Sequence, residues 1–289
     1  MDINNASRAQ VLVEALPYIQ KYYGKVVVVK YGGNAMINDE LKHDVMRDIV
    51  LLSLIGVRMV LVHGGGPEIS AMLKRVGKQS TFVDGLRVTD EETSEIVQMV
   101  LAGKINKSLV AKLDNLGGRA MGICGMDGGL IEARMIDEKL GYVGDIVSID
   151  PQPIFDLLDK GYIPVVSTIG CDETGHVYNI NADTAASSIA SALHAETLVS
   201  MTDTPGLLRD ANDPTSLIRR LNLEQAERLK EDGIISGGMI PKINCVTRAI
   251  REGVRKVFII DGRVPHALLI ELLTDEGAGT LFKKEFTKR

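Results

Sequence analysis

The sequence predicts the α/β class, a mostly parallel sheet covered by helices, and three observations carry that reading. First, β-branched runs alternate with segments of helical period. Second, two of the runs end in glycine turns, Lys30-Tyr31-Gly32-Gly33 and His63-Gly64-Gly65-Gly66-Pro67, at the strand ends where open α/β sheets bind ligands. Third, 289 residues, 45% of them hydrophobic, suffice for one large domain or two fused lobes with a full core.

In chain order, residues 11–23 place Leu12, Leu16, Ile19 and Tyr23 on one helical face, with Pro17 expected to kink it. The first strand spans residues 26–30, and further strands are expected at 59–63, 162–167, 197–201 and 256–260. Leu41, Val45, Ile49 and Leu52 recur at helical spacing. Residues 81–88, with Gly85, read as a turn or hairpin. Thr89 with Glu92 makes a capping box that opens a long helix through Ile96, Val100 and Leu113. Asn181 or Asp183 caps an alanine-rich helix over 182–193. Pro205-Gly206 and Asn212-Asp213-Pro214 mark an excursion, and Pro265 starts a last helix before Thr274. A boundary between two lobes falls near Ala195.

A formal net charge of -5 with both signs interspersed offers no footprint for nucleic acid or an anionic membrane. Small molecules or proteins are the expected partners. Cys124, Cys171 and Cys245 are too widely spaced for a disulfide framework or a zinc site, and read as reduced thiols in a cytoplasmic setting. No transmembrane run or signal peptide is expected.

The chemistry gathers at two lysines. Lys30 follows the valine run and precedes Gly32 and Gly33, and Lys242 ends Gly237-Gly238-Met239-Ile240-Pro241-Lys242. A cation beside bare backbone N–H groups is a place for phosphate, so the pair suggests one phosphoryl group held from both sides. Neither the dinucleotide fingerprint nor the P-loop is present. The Gly64-Gly65-Gly66 triplet leads into a helix N-terminus, where orphan N–H groups and the dipole favour an anion. His63 reads as a packed strand-end residue rather than a base. No acidic cluster stands out as a metal cage, so no metal ligands are assigned.

Together with Gly85-Leu86-Arg87-Val88-Thr89, Asn179-Ile180-Asn181-Ala182-Asp183 and Thr202-Asp203-Thr204-Pro205-Gly206-Leu207-Leu208, these segments resemble the amino-acid kinase family, and within it the members that phosphorylate N-acetyl-L-glutamate. The resemblance implies a three-layer α/β sandwich over residues 25–289 preceded by an oligomerisation helix in residues 1–24. It implies a lobe of residues 25–195 for the acid and one of residues 196–289 for ATP, with Mg2+ accompanying the nucleotide. Lys30 and Lys242 would stabilise the transferred phosphoryl group, with Asp183 organising both ammonium groups. Arg87 would take the non-reacting carboxylate bidentately, its alternative being a surface ion pair with Asp84 or Asp90. Asn179 and Asn181 would bind the acetamido or carboxyl end, and Gly65 and Gly66 the reacting end or the γ-phosphoryl group. Gly32, Gly33, Thr202, Asp203, Gly206, Gly237, Gly238 and Met239 would line ATP.

The arginine-inhibited members of this family interlace dimers into a ring-like hexamer through such a helix. The stretch from His266 to Thr280 resembles theirs, although Leu273 stands where phenylalanine is expected. That resemblance implies an arginine site at Tyr22, Tyr23, Glu271 and Gly277, and leaves room for a nitrogen-signalling regulatory protein as a partner. Other small acids, namely glutamate, aspartate, carbamate or a nucleoside monophosphate, are alternative substrates. A catalytically dead arginine or nucleotide sensor is the alternative from another class.

Overall fold

The computed structural model describes residues 4–36 and 38–286. An eight-stranded sheet forms the centre, in the order Arg220–Asn222, Thr280–Lys283, Lys256–Asp261, Thr197–Thr202, Val26–Tyr31, Arg58–His63, Ile163–Ser167, Ala120–Cys124. Neighbours run parallel except Thr280–Lys283, which is antiparallel to Lys256–Asp261. All five expected strands are present within a residue or two at each end.

The valine run shows why it has no polar member: a central parallel strand is buried on both faces. Val27, Val29 and Tyr31 enter one core cluster, which is filled from Asp39–Leu54, the long helical segment before Ala120 and Ala267–Leu273. Val28 enters the other, filled from Gln152–Asp159, Ala182–Ala192, Leu223–Glu231 and Met239–Arg251. The result is a three-layer α/β sandwich. Alternation then sends Lys30 to the face of Val28, toward helix Ala182–Ala192.

A second, four-stranded sheet in the order Val177–Asn179, Ile169–Cys171, Ile131–Met135, Gly144–Ile149 was not expected from the sequence. It delivers Asn179 to the turn before helix Ala182–Ala192. The expected hairpin is present as Phe82–Val83 paired with Leu86–Arg87.

Three local readings are corrected. Asp90, not Thr89, caps helix Glu91–Gln98 by accepting from Thr93 N, while the buried Thr89 hydroxyl donates to Arg87 O. That helix joins Asn106–Asn115 through a π-helix, Met99–Ile105. At the amino end, Asn5–Glu14 and Leu16–Tyr22 are separate helices, and Pro17 sits in the first turn of the second, where proline costs nothing. Within the single chain the apolar face is largely uncovered, Leu12 being 73% and Tyr23 68% exposed, whereas Tyr22 is 1% exposed. The helix ends at Tyr22, so Tyr23 leaves the helical register and lays its ring over Gly56. Among the described residues no helix is long and apolar enough to cross a membrane.

Candidate active site

Asp183 joins the two lysines. Its Oδ1 lies 3.1 Å from Lys30 Nζ and its Oδ2 2.7 Å from Lys242 Nζ. The carboxylate is free for this because Asn181 caps the helix, accepting from Asp183 N and Thr184 N. Burial pushes the Asp183 carboxyl upward, but the two ammonium charges outweigh it and hold the group at about 2. Lys30 is 8% exposed; burial lowers its ammonium from the ordinary value, opposed by Asp183 and reinforced by Lys242. Two cations on one half-buried carboxylate leave a net positive charge.

Glycines keep this cation pair approachable. A Cβ at Gly32 would sit 3.1 Å from Lys30 Nζ, and one at Gly33 would run into the Asp203 carboxylate. Around Gly237 and Gly238 a Cβ would meet nothing within 4 Å, so the loop before helix Met239–Arg251 faces open space. A cleft of about 790 Å³ runs from that loop past Asp183 and Lys242 to Gly85 and Leu86 of the hairpin. Of the residues expected to line ATP only Gly237 and Gly238 are among its walls; Gly32, Gly33, Thr202, Asp203, Gly206 and Met239 are not. The Thr202 hydroxyl bonds Thr204 O at 3.1 Å, and Gly206 packs on Thr280.

Next to the cleft, and sharing Gly85, Leu86, Val143 and Asn181 with it, is a cavity of about 190 Å³. Its walls include Gly64, Gly65, Gly66, Arg87 and Asn179. Arg87 is 6% exposed, stacks on Phe82 at 4.6 Å, and donates to Ser80 Oγ at 2.6 Å and to Gly66 O and Ser70 Oγ at 2.9 Å. The alternative of a surface pair fails: Asp90 binds Lys78 at 2.7 Å instead. Among the described residues Arg87 has no carboxylate partner, and its buried charge is met by neutral oxygens alone. The side chains of Asn179 and, at its NH2 end, Asn181 likewise make no protein hydrogen bond among the described residues.

His63 is fully buried and held at about 4, chiefly by burial, which suits a packing role and not a base. Sequence reasoning missed Ser70 and Ser80, for which a lone serine gives no signal. It also missed Asn106, whose signal was present: a polar residue in an apolar stripe with Leu109 and Leu113.

The four residues expected to form an arginine site divide. Tyr22, Glu271 and Gly277 line a third cavity of about 230 Å³ with Lys21, Lys256 and Lys283. Tyr23 does not reach it. Glu271 accepts from Ala278 N at 2.6 Å and Gly279 N at 2.9 Å, and burial raises its carboxyl.

The family pattern of the amino acid kinase family matches residues 25–261. The chain belongs to that family. Its similarity to the acetylglutamate kinase of Brachyspira hyodysenteriae is 55% identity over 98% of this chain and 99% of that one. Among solved structures, the N-acetylglutamate synthase of Neisseria gonorrhoeae complexed with coenzyme A and N-acetyl-glutamate is 29% identical with a TM-score of 0.85. This family member covers 96% of its own length there but only 64% of the synthase chain. The same synthase complexed with coenzyme A and L-arginine matches at 27% identity and a TM-score of 0.80. The sandwich described above is therefore the amino acid kinase fold.

Proposed function

We propose that the protein transfers the γ-phosphoryl group of ATP to the side-chain carboxylate of N-acetyl-L-glutamate, giving N-acetyl-L-glutamyl 5-phosphate, a step of arginine biosynthesis. The observation that carries this reading is the buried, carboxylate-free Arg87 in a small cavity beside the Lys30–Asp183–Lys242 cluster. A short dicarboxylate fixed by Arg87 at one end presents its other carboxylate toward the lysines, and Asn179 and Asn181 offer partners to an amide between them. Gly65 and Gly66 offer N–H groups at the reacting end. A carboxylate is already ionised at neutral pH, so no general base is required. Lys30 and Lys242 neutralise the charge that spreads over the phosphoryl oxygens, and Asp183 fixes their positions before substrate arrives. On this reading residues 25–195 hold the acid and residues 196–289 the ATP, with Gly237 and Gly238 beside the phosphates.

Among the described residues no group of three His, Cys, Asp or Glu could hold a metal ion, and Asp183 is engaged by lysines on both oxygens. The donor set does not form a protein cage for Mg2+. The ion would enter on the phosphate oxygens of the nucleotide, with water completing its shell.

We further infer feedback inhibition by arginine at the cavity of Tyr22, Glu271 and Gly277, in a cytoplasmic homo-hexamer built through residues 1–24. The supports are that cavity, the exposed apolar residues of helix Asn5–Glu14, and the likeness to a synthase complexed with L-arginine. Binding of a nitrogen-signalling protein to the hexamer is compatible with this reading. The decisive experiment is coupled ADP release with a panel of acids. N-acetyl-L-glutamate should turn over well ahead of glutamate, aspartate and carbamate. Equal rates across the panel, or none, would sink the proposal.

A further inference from the structure

The π-helix Met99–Ile105 and the residue after it grip the glycine turn at two points. A Cβ on Gly65 would lie 2.7 Å from Leu101 Cδ2 and overlap Ile105 Cδ1, so the turn is pressed against the π segment with no space between. One residue on, Asn106 is fully buried and reaches His63, also fully buried. Asn106 Nδ2 lies 3.2 Å from His63 Nε2, 2.8 Å from Val165 O and 3.2 Å from Ile123 O, while Lys107 Nζ donates to Asn106 Oδ1 at 3.1 Å. Two carbonyl acceptors, Val165 O and Ile123 O, face Nδ2 and a cation faces Oδ1, so the amide has one workable orientation, with its N–H side toward His63 Nε2. His63 Nε2 must then accept, and Nδ1 carries the proton that it donates to Gly64 O at 2.9 Å. With the Gly64 carbonyl tied back and Gly64 N bonded to Tyr31 O, the N–H groups of Gly65 and Gly66 donate to no protein group among the described residues.

We propose that Asn106 is a positioning residue: through His63 it locks the ring tautomer that turns the Gly64 carbonyl away from the acid and leaves the Gly65 and Gly66 N–H groups for the acid's reacting end. The inference rests on the function proposed above, because it places the acid at that turn. The π-helix supplies the geometry, since its extra residue per turn rotates Asn106 inward beneath the sheet end; such segments recur at functional sites.

The test joins kinetics to nitrogen NMR of the imidazoles in the full chain. One of the five histidines, assigned by its loss in His63→Phe, should show the neutral Nδ1–H tautomer and fail to titrate between about pH 6 and 8. Asn106→Ala should raise KM for N-acetyl-L-glutamate about tenfold, the scale of one neutral hydrogen bond. KM for ATP should move by less than about twofold, and the double variant should be no worse than His63→Phe alone. Equal rises in both KM values, additive losses, or a wild-type Nε2–H tautomer would overturn the proposal. If Asn106→Ala does not fold, the wild-type tautomer decides. A wild type inactive on N-acetyl-L-glutamate defeats the proposed function and again leaves the tautomer to decide here.

Discussion

At the scale of single residues, what the sequence made legible was the cation beside a glycine turn. Lys30 and Lys242 could be picked out because charge next to bare backbone is rarely only a solvated face, and Arg87 through the family resemblance; the structure buries Lys30 and Arg87, leaves Lys242 half-buried and joins both lysines on Asp183. Replacing Lys30 or Lys242 by alanine should lower turnover by roughly two to three orders of magnitude, the scale of one preorganised electrostatic group; half-maximal activity in either variant would contradict the roles given. Arg87→Ala should chiefly raise KM for N-acetyl-L-glutamate and spare that for ATP, because its contact is to a carboxylate that does not react. Steady-state titrations of both substrates distinguish this from a general loss of fold. Asp183 adds a stability signature of definite sign. Its folded value of about 2 lies below the ordinary carboxyl value of 3.8, so its contribution is present above about 3.8 and is lost as pH falls through about 2. The serines that hold Arg87 were invisible in the sequence, because their role depends on a contact across 17 residues for Ser70 and 7 for Ser80.

Secondary-structure elements divide along the same physical line. Strands buried on both faces, such as Val26–Tyr31, are continuous apolar runs and could be read directly. The strands of the second sheet were not, because Ile131–Met135 and Gly144–Ile149 mix buried and exposed positions without a clean alternation. The π-helix escaped because Val100, Leu101 and Ile105 are buried at a spacing that a 3.6-residue period also tolerates. Its contact with the glycine turn gives a test. Gly65 has φ 173°, extended backbone that any residue adopts, so Gly65→Ala should fail for steric reasons alone, at about 1–3 kcal/mol of stability. Ile105→Val deletes the overlapping methyl and should restore part of the melting temperature in the double variant; simple additivity would refute the collision. A second test lies where helix Asp39–Leu54 meets His266. Asp48 is 1% exposed, accepts from His266 Nδ1 at 2.7 Å, and is raised by burial to about 6 from 3.8. Its ionisation is disfavoured in the fold, so stability is gained as pH falls through about 6 and the gain is complete below about 3.8. Asp48→Asn should therefore melt higher relative to wild type at about pH 8 than at about pH 5. A pH-independent difference would rule this out.

For the whole molecule, the sequence conveyed a three-layer sandwich and one site fed from both ends of the chain, since the motifs are strand ends and parallel strands all point their carboxyl ends the same way. It did not convey how the amino-terminal helices sit, because burial of Tyr22 rather than Tyr23 depends on where the helix stops. Removing the residues before Gly24 should turn a hexamer into dimers and abolish arginine inhibition while leaving much of the activity, as light scattering beside an arginine titration would show. A truncated protein that stays hexameric and arginine-sensitive would refute the assigned role. The strand order carries a different consequence, for biosynthesis. Thr280–Lys283 is wedged between Arg220–Asn222 and Lys256–Asp261, so Arg220–Asn222 has no sheet neighbour until the chain has been made through Lys283. Domains build from their amino ends as they leave the ribosome, and here the sheet edge beyond Lys256–Asp261 must wait for its last wedge. A nascent chain stalled short of that point would expose two unpaired strand edges at once, which makes late translational arrest a hazard for aggregation.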